Sequence, residues 1–305
     1  MKATVFVEET EELPIMATAD RAAILTAAIE SIPTLPVVVN RVMEITADPE
    51  SSAQELTEAI SVDPVLTAKV LKLANSAFYS RSGQIATLRQ ALVVIGFNEV
   101  RNLLISSSVF NNFGKISRVP GFDANFFWRH SFVTGLACRM LSRAMKLTGG
   151  ELFVAGLIHD IGKLVMVVAL PQEFIKMMKM TGNLGLEHIV AEKHLLGLTH
   201  EEVGLRLLKK WAFPQHLQSA VGHHHHPAMA ETQPAQALTV HLADLLAHIS
   251  DMQENNLPEG CFGAETAALA RTYNIEWSPD AVKKLVNKLN DLKKEQSSVL
   301  DIFLT

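Results

Sequence analysis

The sequence is short of cysteine, of aromatics and of excess positive charge, and each shortage removes a class of protein. Only two cysteines occur in 305 residues, Cys138 and Cys261, far apart and in no CxxC pair. A disulfide scaffold and a cysteine-ligated zinc module are therefore excluded, and a reduced, cytoplasmic setting is the simpler expectation. Aromatics are only 6% of the chain, against a 48% apolar content rich in Ala, Leu, Val, Ile and Met, which suits packed helices better than a sandwich or barrel. The formal net charge of −5 supplies no basic footprint, so no nucleic-acid partner is expected. The opening "MKATVFVEETEELPIM" has no cationic flank leading into an apolar core, and no apolar run reads as a membrane span, so no membrane role is expected either.

What is present is helical periodicity. "ILTAAIESIPTLP" reads as a helix stopped by Pro33 and Pro36, and "VVVNRVMEITADP" as a second that ends at Asp48-Pro49. Ser51 and Ser52 are N-cap candidates for the next, and Pro64 opens another. Two helical segments meet near Gly96, and "NFGKISRVPGFD", residues 112 to 123, is the first loop-like stretch. Helices are further expected over residues 124 to 145, 151 to 168, 186 to 195, 200 to 210, 214 to 222, 235 to 252 and 279 to 296, with Thr199 capping the one that begins at His200. No segment alternates with period two. The expected fold is all-α. Its expected divisions are an N-terminal extension (1–20), a helical subdomain (21–115), a second helical subdomain (116–255) and a C-terminal helical extension (256–305).

Several polar residues do not belong in apolar helices. His130 lies in one such helix, His159 and Asp160 close another within "AGLIHDIGKLVMV", and Asp244 sits among leucines in "TVHLADLLAHI". His200 opens a helix, and "GHHHHP" supplies His223, His224, His225 and His226. Any one histidine is readily a satisfied core or surface side chain. Two carboxylates in apolar stripes are harder to dismiss, because an unpaired buried charge is costly. A divalent transition metal between them answers the problem, since imidazole and carboxylate together suit iron, manganese, zinc, nickel or cobalt. Helical bundles build such sites from inward-facing side chains. Adjacent helical residues point about 100° apart, so His159 and Asp160 straddle an inward stripe; the pair binds one ion, or the carboxylate bridges two. One or two of the four consecutive histidines are expected to ligate.

These residues carry a family resemblance. "HDIGK", with His130 upstream and "LAD" at Asp244 downstream, resembles the HD superfamily of metal-dependent phosphohydrolases. More closely, "IESIPTLPVVVNRVMEITADPESSAQELTEAISVDPVLTAKVLKLANSAFYS", "LRQALVVIGFNEVRNLLI" and "HLLGLTHEEVGLRLLKKWAFP" resemble the HDOD domain, an HD-related output module of bacterial signalling proteins. The resemblance implies a metal-ligand set of His130, His159, Asp160, His200, His224, His225 and Asp244, with His223 replacing a member of the His-His pair if the run is shifted by one. So many ligands would hold two ions with Asp160 between them, iron or manganese first and nickel or zinc as alternatives. The related HD-GYP enzymes follow their His-His pair with a glycine- and proline-containing motif. Here the chain continues "HHPAMAETQPAQ", so the resemblance does not extend to cyclic-di-GMP hydrolysis.

Two functions follow as expectations. The first is a signal-transduction module with a His/Asp metal centre and a signalling protein as partner. The second is a metal-dependent phosphohydrolase acting on a phosphoester ligand, with Asp160 and Lys163 as the catalytic candidates. Lys163 either touches a phosphate oxygen or is a snorkelling helix-end lysine paired with a carboxylate behind the ligands; Arg129, beside His130, is a weaker candidate for the phosphate role and is expected to be exposed. An open, water-accessible metal face separates the enzyme from a saturated structural or sensory site.

Overall fold

The computed structural model describes residues 17–48, 50–76, 84–113, 119–181, 185–252, 263–296 and 299; Cys261 lies outside them. Among the described residues there are sixteen α-helices and no β-strand. The first six are α1 (Thr18–Ser31), α2 (Val37–Ala47), α3 (Ala53–Ser61), α4 (Pro64–Ala74), α5 (Leu88–Ile95) and α6 (Phe97–Asn112). The next eight are α7 (Ala124–Met145), α8 (Gly149–Ile158), α9 (Ile161–Ala169), α10 (Pro171–Thr181), α11 (Gly185–Leu196), α12 (His200–Lys210), α13 (Gln215–Gly222) and α14 (Pro234–Asp251). The chain ends with α15 (Ala264–Thr272) and α16 (Pro279–Glu295).

Local chemistry sets many of these boundaries. Ser52 accepts a hydrogen bond from the Glu55 amide to start α3, and Asp63 accepts from Val65 and Leu66 to start α4, with Pro64 in its first turn. Thr199 and Glu202 form a capping box at α12, which fixes where His200 begins. Gly96, at φ +90°, turns the chain between α5 and α6. One expected boundary is wrong: residues 151 to 168 are not a single helix. The chain breaks at His159-Asp160, where Asp160 leaves helical geometry at φ −94° and ψ 13°. Two helices, α10 and α15, also go beyond the sequence expectation.

By length and composition the stretch Gly149–Ala169 qualifies as a membrane span, contrary to the sequence reading, but 83% of its most apolar window is buried inside the fold. It is a core element. α8 packs along α7, and α9 packs against α12. Both crossings need glycine. A Cβ on Gly156 would lie 2.8 Å from the Gly135 backbone, and one on Gly162 would lie 2.0 Å from the carbonyl oxygen of His200. The glycine of "HDIGK" thus lets the start of α12 lie directly against the start of α9. α1 belongs with this assembly too, packing on α9, α11 and α12, while Lys210 and Trp211 bond to carbonyls of residues 29 to 33.

Gly162→Ala is therefore expected to destabilise the fold by about 3 kcal/mol through overpacking against backbone that has no free rotamer to yield. Thermal unfolding checks this; an unchanged Tm would show that α12 shifts away freely.

Candidate metal centre

The break at 159–160 is what brings the signature pair together. His159 Nε2 lies 3.4 Å from Asp160 Oδ2, on one side of a buried cluster rather than at the edge of a helical stripe. α7 contributes His130, the α8–α9 junction His159 and Asp160, α12 His200, the end of α13 His224 and His225, and α14 Asp244. All seven are buried. Asp160, His200, His224 and His225 place one donor atom each within 4.8 Å of one another, as do His130, His159 and Asp160. Asp160 is common to both groups. His223 stands apart, its ring on the Ser219 carbonyl, and His226 is turned to Glu201.

The hydrogen bonds decide which ring nitrogen faces inward. His159 Nδ1 donates to the Gly156 carbonyl at 2.7 Å, and His224 Nδ1 donates to the Val221 carbonyl at 2.8 Å. His200 Nδ1 donates to the fully buried Glu192 carboxylate at 2.8 Å, and the His200 amide donates to it at 2.7 Å. Each neutral ring then presents a bare lone pair at Nε2. Yet His200 Nε2 lies 3.2 Å from His224 Nε2 and 3.1 Å from His225 Nε2. Lone pairs converge at this distance around a cation: metal–nitrogen bonds of ~2.1 Å put neighbouring donors ~3.0–3.4 Å apart. Asp160 Oδ1 adds a carboxylate oxygen 3.2 Å from His200 Nε2. His130 Nδ1, His159 Nε2 and Asp160 Oδ1 are buried with no hydrogen-bond partner. The donor set fits a divalent transition metal.

The electrostatics agree. Burial works against charge on His159, but Asp160 and Asp244 outweigh it and raise the imidazole to about 10. Burial likewise opposes charge on the two carboxylates. It is overcome at Asp160 chiefly by His159 and Lys163, and at Asp244 by His248 and His130, so both are held well below the usual carboxylate range. His224 and His225, by contrast, are pushed down by burial and by the neighbouring imidazoles. Without an ion, the protein gathers protons where it has concentrated negative charge.

Lys163 lies one turn beyond Asp160 and donates to its Oδ2 at 2.6 Å. This is a carboxylate of the site itself, so the lysine both neutralises Asp160 and turns Oδ1 toward the imidazoles. Arg129 is exposed. Four contributors were not foreseen. His248 lies 3.4 Å from Asp244 Oδ1, and with His130 and Asp244 makes a third close donor group. Asp251 lies 3.9 Å from His130 Nδ1 and is held by Lys293 at 2.9 Å. The spacing Asp244, His248, Asp251 is i, i+4, i+7, one helical face, and was readable. Glu192 supports His200, and Glu201 accepts the His225 amide at 2.8 Å; neither is marked by any local pattern. A cavity of about 300 Å³ opens on the cluster, with His130, Asp160, Lys163, His225 and His248 at its floor.

The HDOD domain family matches residues 32–227. The chain belongs to the HDOD family. Among solved structures, it is similar to a candidate phosphohydrolase from Shewanella amazonensis, at 26% identity, covering 92% of this chain and 98% of that one with a TM-score of 0.71. An HDOD domain protein of unknown function from Geobacter sulfurreducens shares the fold at 22% identity, with 95% and 100% coverage and a TM-score of 0.75. A curated relative, an uncharacterised protein from Treponema pallidum, is 24% identical over 229 residues, and the chain spans 73% of its own length but 43% of that relative. Within the HDOD fold, the cluster is the donor arrangement of an HD-superfamily metal-binding module.

Glu192→Gln is expected to weaken metal binding by about 10–100-fold, because a neutral amide can still accept the His200 Nδ1–H but no longer raises the basicity of the ring as a carboxylate does. Metal titration of the purified variant checks this; wild-type affinity would show that His200 needs no such support.

Proposed function

We propose that this HDOD chain is a metal-dependent phosphoester hydrolase with a two-ion centre. His130, His159, Asp160 and Asp244 would hold one ion, and Asp160, His200, His224 and His225 the other. The observation that carries this reading is that Asp160 belongs to both donor groups and also lines an open cavity. A purely structural site would be closed on all sides, whereas a catalytic one keeps a face for ligand. The sequence put the signalling role first; the cavity moves the balance to chemistry. The name of the Shewanella protein, a candidate phosphohydrolase, supports the same direction.

Iron or manganese, which suit this donor type, would supply Lewis-acid chemistry for phosphoester hydrolysis when bound. Everything else falls to the chain. Lys163 spends one N–H on Asp160 and has others for a phosphoryl oxygen in the cavity that it lines. Glu192 and the carbonyls of Gly156 and Val221 hold three imidazoles in one tautomer. Burial of the donor residues strengthens the charge interactions among them.

A second reading is favoured by a different observation. None of the donor residues comes from α1 to α6, so the first third of the chain has no chemical task at the centre. In this reading the module reports the state of its metal to a signalling partner in the cytoplasm.

Elemental analysis of anaerobically purified protein, together with turnover of p-nitrophenyl phosphate and its bis-ester, separates the two. About two ions per chain with turnover, both lost in Asp160→Ala, is the expected result. Metal without turnover of any phosphoester leaves the signalling reading, and absence of stoichiometric metal overturns both.

A further inference from the structure

The cavity over the metal centre has walls as specific as its floor. Phe122, Phe126, Phe127, Phe174, Ile175 and Met178 form much of it, supplied by the approach to α7, by α7 itself and by α10. Phe122 is half-buried and Phe126 exposed at the opening, while the buried rings of Phe127 and Phe174 pack against Phe122 from within. Phe126 is 55% exposed there, the one phenylalanine among the large exposed apolar side chains of the described residues, and its ring lies nearly parallel to His130 at a tilt of 14°. An exposed ring at the lip of a pocket is surface that a bound apolar group would cover.

The formal charges at the same opening are mostly negative, Asp123, Asp160 and Asp251 against a single lysine. Lys163 is the only lysine or arginine among the described lining residues, and it is already tied to Asp160. Above the floor stand the carboxylates of Asp123, occupied in capping α7, and of Asp251, held by Lys293. A ligand with several phosphates would bring its outer charges toward these carboxylates, where the ammonium groups at hand, Lys163 and Lys293, are each already bonded to an aspartate. A single phosphate on the floor meets the ions and Lys163.

The geometry points to a phosphomonoester of a hydrophobic, ring-bearing alcohol as the ligand of this site, rather than a nucleoside polyphosphate or a dinucleotide. The inference rests on the metal centre proposed above and deepens it. The volume agrees: an apolar cavity of ~150 Å³ already holds benzene, so about 300 Å³ accommodates an aryl body above a phosphoryl group. In the bound state the ring stacks against Phe126 and packs on Ile175 and Met178, and the phosphoryl group reaches the floor.

Phosphonates test this without hydrolysis, because their carbon–phosphorus bond is not the bond a phosphoesterase breaks. Calorimetric titration of the manganese-loaded full chain with phenylphosphonate, methylphosphonate and GTP reads the ligand class directly. Phenylphosphonate is expected to bind at least about tenfold more tightly than methylphosphonate and more tightly than GTP. That phenyl-to-methyl ratio is expected to fall about tenfold in Phe126→Ala, and to fall in Ile175→Ala as well. Equal affinity for the two phosphonates, preference for GTP, or an unchanged ratio in both variants overturns the proposal. Failure of both phosphonates to bind overturns it as well. Tight phenylphosphonate binding by a protein that turns over no phosphoester supports the ligand class and overturns only the hydrolytic reading.

Discussion

Two carboxylates, Asp160 and Asp244, are buried in the middle of a helical protein, and most of the second half of the chain is arranged around keeping them charged. Each lies under 10% exposed, among imidazoles rather than water. Burying an ion without a partner costs several kcal/mol even after relaxation. The fold answers with position. Five separate parts of the chain direct a nitrogen or oxygen toward the same small volume, and α9 and α12 come close enough to do so only because Gly162 has no side chain.

The same constraint accounts for the irregularity at the signature pair. A continuous helix through residues 151 to 168 would satisfy its backbone bonds, but would splay His159 and Asp160 about 100° apart. Breaking the helix there gives up part of that ladder and allows both side chains to face the cluster at 3.4 Å. The cost is contained, since Asp160 O still accepts the Lys163 amide at 2.8 Å and so starts α9 at once. Lys163 then returns from the first turn of that helix to the Asp160 carboxylate, so motif order and geometry are one fact.

Residues whose chemistry conflicts with their surroundings were legible in the sequence. His130, His159, Asp160 and Asp244 stood out because each interrupts an apolar stripe, and Ser52, Asp63-Pro64 and Thr199 announced helix starts that the backbone follows. The resemblance supplied the choice of His224 and His225 from a run in which local pattern separates no member from another. Illegible were the residues that matter only through a neighbour. Glu192 and Glu201 look like ordinary acids of amphipathic helices until α11 and the end of α13 are brought against α12. The cavity walls come from segments far apart in the chain, Phe122 and Met252 among them, and no local period links such distant positions. His248 and Asp251 lay on the readable face of α14 but resembled a polar helix end.

Charge balance ties these supporting residues to the ions. Around the cluster stand the carboxylates of Asp160, Glu192, Glu201, Asp244 and Asp251, faced by the ammonium groups of Lys163 and Lys293. Lys293 neutralises Asp251 at the rim, and Lys163 neutralises Asp160. That leaves more anion than cation in the interior, and a protein without metal makes up the difference by protonating imidazole, most clearly at His159. Protons can occupy only one nitrogen each, whereas a divalent ion accepts several lone pairs at once. The converging Nε2 atoms of His200, His224 and His225 are thus poorly served by protons and well served by a metal. The carboxylates set how much positive charge the site requires, and the imidazoles set the form in which it must arrive.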